Sequence, residues 1–104
     1  MEQCKIELNS IPWESPAQGV RFKAFKQEGK QIRLVEFTNK FIEPDWCKKG
    51  HIGYILEGQL EINFNGNIVV FNPGDALLIP EGEEYKHMAK TITEVVRLFL
   101  IEEV

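Results

Sequence analysis

Alternation is clearest at Leu60, Ile62 and Phe64, which interleave with Glu61, Asn63 and Asn65. A period of two puts the three apolar side chains on one face, so the segment predicts a half-buried strand. Asn65-Gly66-Asn67 follows, residues that tolerate the positive φ of a tight hairpin, and Ile68 to Phe71 returns as its partner. Upstream, Val20 to Phe25 and Ile32 to Phe37 are rich in β-branched and aromatic residues, with a hairpin turn expected at Gly29-Lys30. The alternation changes phase between Leu34 and Val35, which predicts either a bulge or a strand covered on both faces. His51 to Glu57 is a further strand, ended by Gly58. Ala76 to Ile79 is another, framed by Asn72-Pro73-Gly74-Asp75 and Pro80-Glu81-Gly82. Glu94 to Ile101 is apolar nearly throughout and predicts a central strand.

No helical stripe runs beyond two turns. Residues 9 to 19, with Pro12, Trp13 and Pro16, read as an irregular arm. The chain therefore divides into an arm over residues 1–19 and a strand-rich body over residues 20–104, within one domain. Short strands at even spacing with turn chemistry between them indicate an all-β sandwich or barrel.

Composition narrows the function classes. A chain of 104 residues supports one core, and an apolar share of 43% excludes disorder as the default. The net charge of −4 and scattered basic residues, densest at Lys48-Lys49, argue against a nucleic-acid partner. No segment approaches the ~18 consecutive apolar residues of a membrane span, and the N-terminus shows no secretory pattern. Cys4 and Cys47 form no spaced framework, so the expectation is two reduced thiols in a cytoplasmic protein.

Two motifs carry a resemblance. Gly74-Asp75-Ala76-Leu77-Leu78-Ile79-Pro80-Glu81-Gly82 is a glycine, an intervening stretch and Pro-x-Gly, and Tyr54-Ile55-Leu56-Glu57-Gly58 is an apolar strand closed by glycine. With the Asn-Gly hairpin between them, residues 47 to 87 resemble the cupin superfamily. The resemblance implies a small single-domain cupin-type β-barrel (jelly roll, or double-stranded β-helix). It also implies a homodimer, for which residues 1–19 and Trp46 are the candidate surface. Counting back from Gly58 places His51 where the family has a glutamate, and Cys47 and Asp45 where it has two histidines. Tyr85 stands at the position of the third histidine, with His87 two residues beyond. None of the four positions holds the family's usual residue.

The residues themselves leave two readings open. Alternate residues on a strand lie roughly 6.5–7 Å apart on one face, so Asp45 with Cys47, and Tyr85 with His87, could converge inside the barrel. A thiolate, imidazoles and a carboxylate suit zinc or another divalent transition metal, with Cys47, His51, His87 and Asp45 as ligands. Tyr85 or Asp45 would then be a general acid or base. In the opposing reading Cys47 is a small buried hydrophobe, Asp45 caps a turn, His51 bonds a carbonyl and Tyr85 fills the barrel mouth. An alternative register, with His51 and Glu57 as ligands, is rejected because Glu57-Gly58 reads as a hairpin turn pointing Glu57 at solvent. Trp13 and Trp46 read as core or interface rather than stacking platforms, with Trp46 facing away from Cys47.

Three functions follow as expectations. The first is a cupin binding a small polar molecule in its interior, with or without a metal. The second is a metal-dependent isomerase, lyase or oxygenase, and the third a dimerisation module without ligand. Metal-free thiol chemistry at Cys47 is a remote addition.

Overall fold

The computed structural model describes residues 3–104, which form two antiparallel sheets. The strands are β1 (Glu14–Ala17), β2 (Val20–Gln27), β3 (Lys30–Thr38), β4 (His51–Glu57), β5 (Leu60–Phe64), β6 (Asn67–Phe71), β7 (Ala76–Ile79), β8 (Met88–Thr91) and β9 (Val95–Glu103). Short 3-10 turns at Leu8–Ser10 and Glu83–Tyr85 complete the described elements. The larger sheet runs β1-β2-β3-β9-β4-β7 and the smaller β6-β5-β8. Their inner faces meet in one core, where Leu60 and Ile62 of β5 pack with Val35, Ile55, Leu77, Val96 and Leu98 of the larger sheet. This is a jelly roll, the architecture that the cupin resemblance implies, and it falls within the all-β class expected from the strand pattern.

Turn chemistry sets the registers. β2 and β3 close on a two-residue loop in which Glu28 (φ 48°) and Gly29 (φ 75°) both take positive φ. Asn65 and Gly66 do the same between β5 and β6, as hairpins with right-twisted strands require. Gly58 acts differently from the hairpin turn expected there: it carries the chain from β4 in one sheet to β5 in the other. Its φ is 79°, and a methyl group added to it would overlap the Val95 carbonyl oxygen.

β9 lies between β3 and β4, the central position that its apolar sequence predicts. The phase change in β3 is not a bulge, since its pairing with both β2 and β9 is unbroken. The strand is instead covered on both faces. Val35 points into the core, while Glu36 is held on the outer face by Arg21 (Nε–Oε1 2.8 Å) and Arg97 (Nε–Oε2 2.9 Å).

Two strands depart from the sequence reading. Within the expected arm, Glu14–Ala17 forms β1 and pairs with β2. It is an edge strand, and Pro16 falls where its register with β2 shifts, between Glu14 and Ala17. β8, Met88–Thr91, lacks β-branched alternation and exists because it pairs with β5. Among the described residues no helix is long and apolar enough to cross a membrane.

Candidate metal centre

The centre is assembled by pairing at the open end of the core. Cys47 and His87 form an isolated β-bridge, exchanging backbone hydrogen bonds of 2.8 and 2.9 Å. That bridge fixes a thiol from the segment before β4 beside an imidazole from the segment before β8. His51, the first residue of β4, completes the group: its Nε2 lies 3.6 Å from Cys47 Sγ. The His51 and His87 rings meet edge to face with centroids 5.3 Å apart. One donor atom from each of the three residues lies within 4.8 Å of the others.

Each imidazole is oriented through its other nitrogen. His87 Nδ1–H donates to the Tyr85 carbonyl oxygen (2.9 Å) and His51 Nδ1–H to Glu102 Oε2 (2.9 Å), which leaves both Nε2 atoms for a ligand. Glu102 is itself fixed by two 2.7 Å bonds from Arg33 and one of 2.9 Å from Gln31. The register explains this: β9 places Glu102 inward, in line with Leu98 and Leu100, between Gln31 of β3 and the start of β4.

The charges are strongly coupled. Hydrogen bonds from His51 and then His87 bring the Cys47 thiol down to about 5, against the opposing effect of burial. Burial lowers His51, but its bonds to Cys47 and Glu102 prevail and raise it to about 9. Burial likewise opposes the rise of His87, which comes from Cys47 and the Tyr85 carbonyl. Glu102 falls to about 2, because His51, Arg33 and Gln31 outweigh its burial. A further carboxylate, Glu43, lines the same cavity; burial, then the charge of Cys47, raises it to about 7.

A zinc ion fits this donor set. Zn–S of about 2.3 Å and Zn–N of about 2.0–2.1 Å at a tetrahedral angle separate sulfur from nitrogen by roughly 3.5 Å. The Cys47–His51 separation of 3.6 Å matches that edge without rearrangement. Held by these three residues, such an ion would keep a fourth position for a bound molecule, as reactive zinc sites do.

The structure does not bring Asp45 or Tyr85 into this group. Asp45 lies in an exposed bend, where its Oδ1 accepts the Trp46 N–H at 2.8 Å, and it lines an outer cleft with Lys48, Lys49 and Lys86. The two-residue alternation that would turn it inward requires an extended strand, and only Cys47 is paired here. Tyr85 ends the 3-10 turn Glu83–Tyr85, so its ring is exposed and only its carbonyl serves the site. His87, two residues later, is the one delivered inward, and it is 4% exposed. Trp46 faces the outer cleft beneath Lys86 (5.6 Å), away from the cavity. Glu57, ligand of the rejected register, is exposed at the end of β4 and pairs with Arg97. Cys47 and Cys4 are not joined in a disulfide.

Glu102, Arg33 and Glu43 are the residues around the cluster that sequence reasoning missed. Glu102 carried a signal, continuing the inward set Leu98, Leu100 one residue past the expected strand end. Arg33 shares the inward face with Val35 and Phe37, concealed by the phase change. Glu43, in an irregular segment before Pro44, carried none.

The cavity in front of the centre has a volume of about 240 Å³. Both sheets contribute to its walls, and the polar groups gather at one end.

No curated protein matches the chain. Among solved structures, KdgF from Halomonas sp. superposes with a TM-score of 0.74 at 20% identity, covering 89% of this chain and 86% of that one. An RmlC-like cupin from Shewanella frigidimarina NCIMB 400 gives 0.75 at 13% identity over 98% and 91%. The cupin domain of Cnp3 from Schizosaccharomyces pombe gives 0.71 at 20% identity over 97% and 69%. At these identities the likeness speaks for the fold alone. The family model of the cupin domain matches residues 45–102, more than half of the chain and all three residues of the centre, and the chain belongs to the cupin family.

Proposed function

We propose that this cupin binds a small molecule inside its jelly roll at a divalent transition-metal ion, zinc in the first instance, held by Cys47, His51 and His87. One observation carries the reading: a thiol and two imidazoles converge within 4.8 Å of one another, the Cys47–His51 edge at 3.6 Å, and both Nδ1 atoms are already committed to oxygen acceptors. The ion would supply a Lewis acid facing the cavity. The protein's own groups orient the ligand histidines through Glu102 and the Tyr85 carbonyl, and place Glu43 beside the position where a bound molecule would sit. Binding and metal-assisted catalysis use the same open position, and an isomerase, lyase or oxygenase activity is the second step of this reading. Two cysteines not joined in a disulfide suit a reducing compartment, the cytoplasm.

The test is elemental analysis of protein produced with zinc, iron, manganese and nickel supplied. One equivalent of metal is expected, falling below a tenth of an equivalent in Cys47→Ser and His87→Ala. Folded protein that holds no metal under these conditions overturns the proposal.

A further inference from the structure

The cavity wall specifies more than its size. The residues facing it with polar side chains are Arg33, Glu43, Cys47, His51 and His87. Arg33 is committed to Glu102, and the three metal-centre residues bond one another or their orienting groups. Glu43, in the same wall, makes no such bond among the described residues. The rest of the wall is hydrocarbon. Val35, Leu98 and Leu100 come from the larger sheet, Leu60, Ile62 and Ala89 from the smaller one, and Phe22, Phe37 and Phe41 close the side. The Phe37 and Phe41 rings pack against each other at a tilt of 37°, with centroids 4.7 Å apart. Among the described residues no serine, threonine, asparagine, glutamine, tyrosine or tryptophan side chain lines this cavity.

Such a wall discriminates strongly. A polyhydroxylated molecule would bury several hydroxyls against groups that neither donate nor accept, and each would lose its hydrogen bonds to water without replacement. An apolar body gains from the same burial. The volume of about 240 Å³ lies below the roughly 300–1,000 Å³ of drug-sized sites, which suits a single ring or a short chain.

We propose that the cavity takes a compact aryl or short alkyl molecule carrying one acidic oxygen head, with the head at the Cys47–His51–His87 end and the hydrocarbon body between the sheets. The assignment of the head rests on the metal reading above; that of the body rests on the wall alone.

Calorimetric titration of the zinc-supplied protein with benzoate, hexanoate and glucuronate tests it, since the three share a carboxylate and differ in body. Benzoate or hexanoate is expected to saturate one site at least 100-fold more tightly than glucuronate. Ala89→Phe, which fills the cavity from β8, is expected to weaken that binding at least tenfold. Glucuronate binding as tightly as the apolar acids, or no saturable binding of either apolar acid, overturns the proposal. Zinc content measured on the same samples reports separately on the metal. A chain that holds no zinc yet prefers benzoate overturns the centre and keeps the ligand class. One that holds zinc and prefers glucuronate does the reverse.

Discussion

Glu102 does more to order the cluster than any residue outside the three candidate ligands. It accepts from His51 Nδ1 and is itself held by Arg33 and Gln31, so its carboxylate both aims the ring and raises the basicity of the imidazole. Glu102→Gln keeps the shape and removes the charge. Zinc affinity, measured by competition with a chelator, is expected to fall about 10–100-fold, with a stability loss of about 1–2 kcal/mol. Unchanged affinity in the folded variant would show that Glu102 only braces the sheet. At this scale the sequence was informative in part. Cys47 and His51 emerged by counting back from Gly58, and His87 as an alternative to Tyr85, because strand ends and turn residues lie close to them in the chain. Asp45 and Tyr85 were misplaced because period-two alternation was carried through a bend and a 3-10 turn. Glu102 was missed because its partner His51 lies 51 residues away, a pairing fixed by β9 and β4 lying side by side.

Among the elements, β3 shows how a charged residue comes to be buried in a sheet. Glu36 is 8% exposed, yet Arg21 from β2 and Arg97 from β9 meet it from both sides. The Arg21 hydrogen bond, opposed by burial and aided by both guanidinium charges, holds the Glu36 carboxyl below its ordinary value. A folded-state pKa below the unfolded one means that the unfolded chain binds the proton more tightly. The stabilisation is therefore fully present above the unfolded value of about 4.3 and is lost as the pH falls through the lower, folded value. Glu36→Gln imitates the protonated side chain. It is expected to cost about 1–2 kcal/mol at pH 7, and the gap to the native sequence is expected to close below about pH 4. Urea midpoints at pH 7, 4 and 3 measure this, and a gap that stays constant with pH would sink the account. β5, with its clear alternation, and β4 and β7, bounded by strong turn residues, were legible with their boundaries. β1 and β8 were not, since proline in one and a short Met-Ala-Lys-Thr run in the other signal a strand only when a neighbour is present to pair with.

At the scale of the whole molecule, the outer face of the larger sheet is apolar and, among the described residues, most exposed toward β4 and β7. Phe25, Ile32, Ile101, Ile52 and Leu78 stand in one cross-strand row over β2, β3, β9, β4 and β7. Phe99 and Tyr54 stand in the row beside it. The exposed end of this surface is severe: Leu78 is 79% and Ile52 52% accessible. The N-terminal segment flanks the opposite end, where Trp13 lies over Arg21 (4.1 Å) and Lys23 (4.9 Å) of β2. Monomeric proteins rarely expose contiguous apolar patches beyond a few hundred Å², and a chain this small gains stability by pairing such faces. We propose that two copies associate through this face, with the Arg21–Glu36–Arg97–Glu57 row as a charged rim. This proposal adds the sheet face to the candidate surfaces named above, residues 1–19 and Trp46, of which Trp46 lies beneath Lys86 in the outer cleft. Burying one leucine contributes roughly 1.5–3 kcal/mol. Leu78 enters such an interface twice, so Leu78→Lys is expected to weaken the dimer at least ~100-fold. Sedimentation equilibrium reads this directly. The native chain should sediment as a dimer and Leu78→Lys as a monomer at micromolar concentration. Dimers unaffected by the substitution would move the interface elsewhere, and a monomeric native chain would remove it.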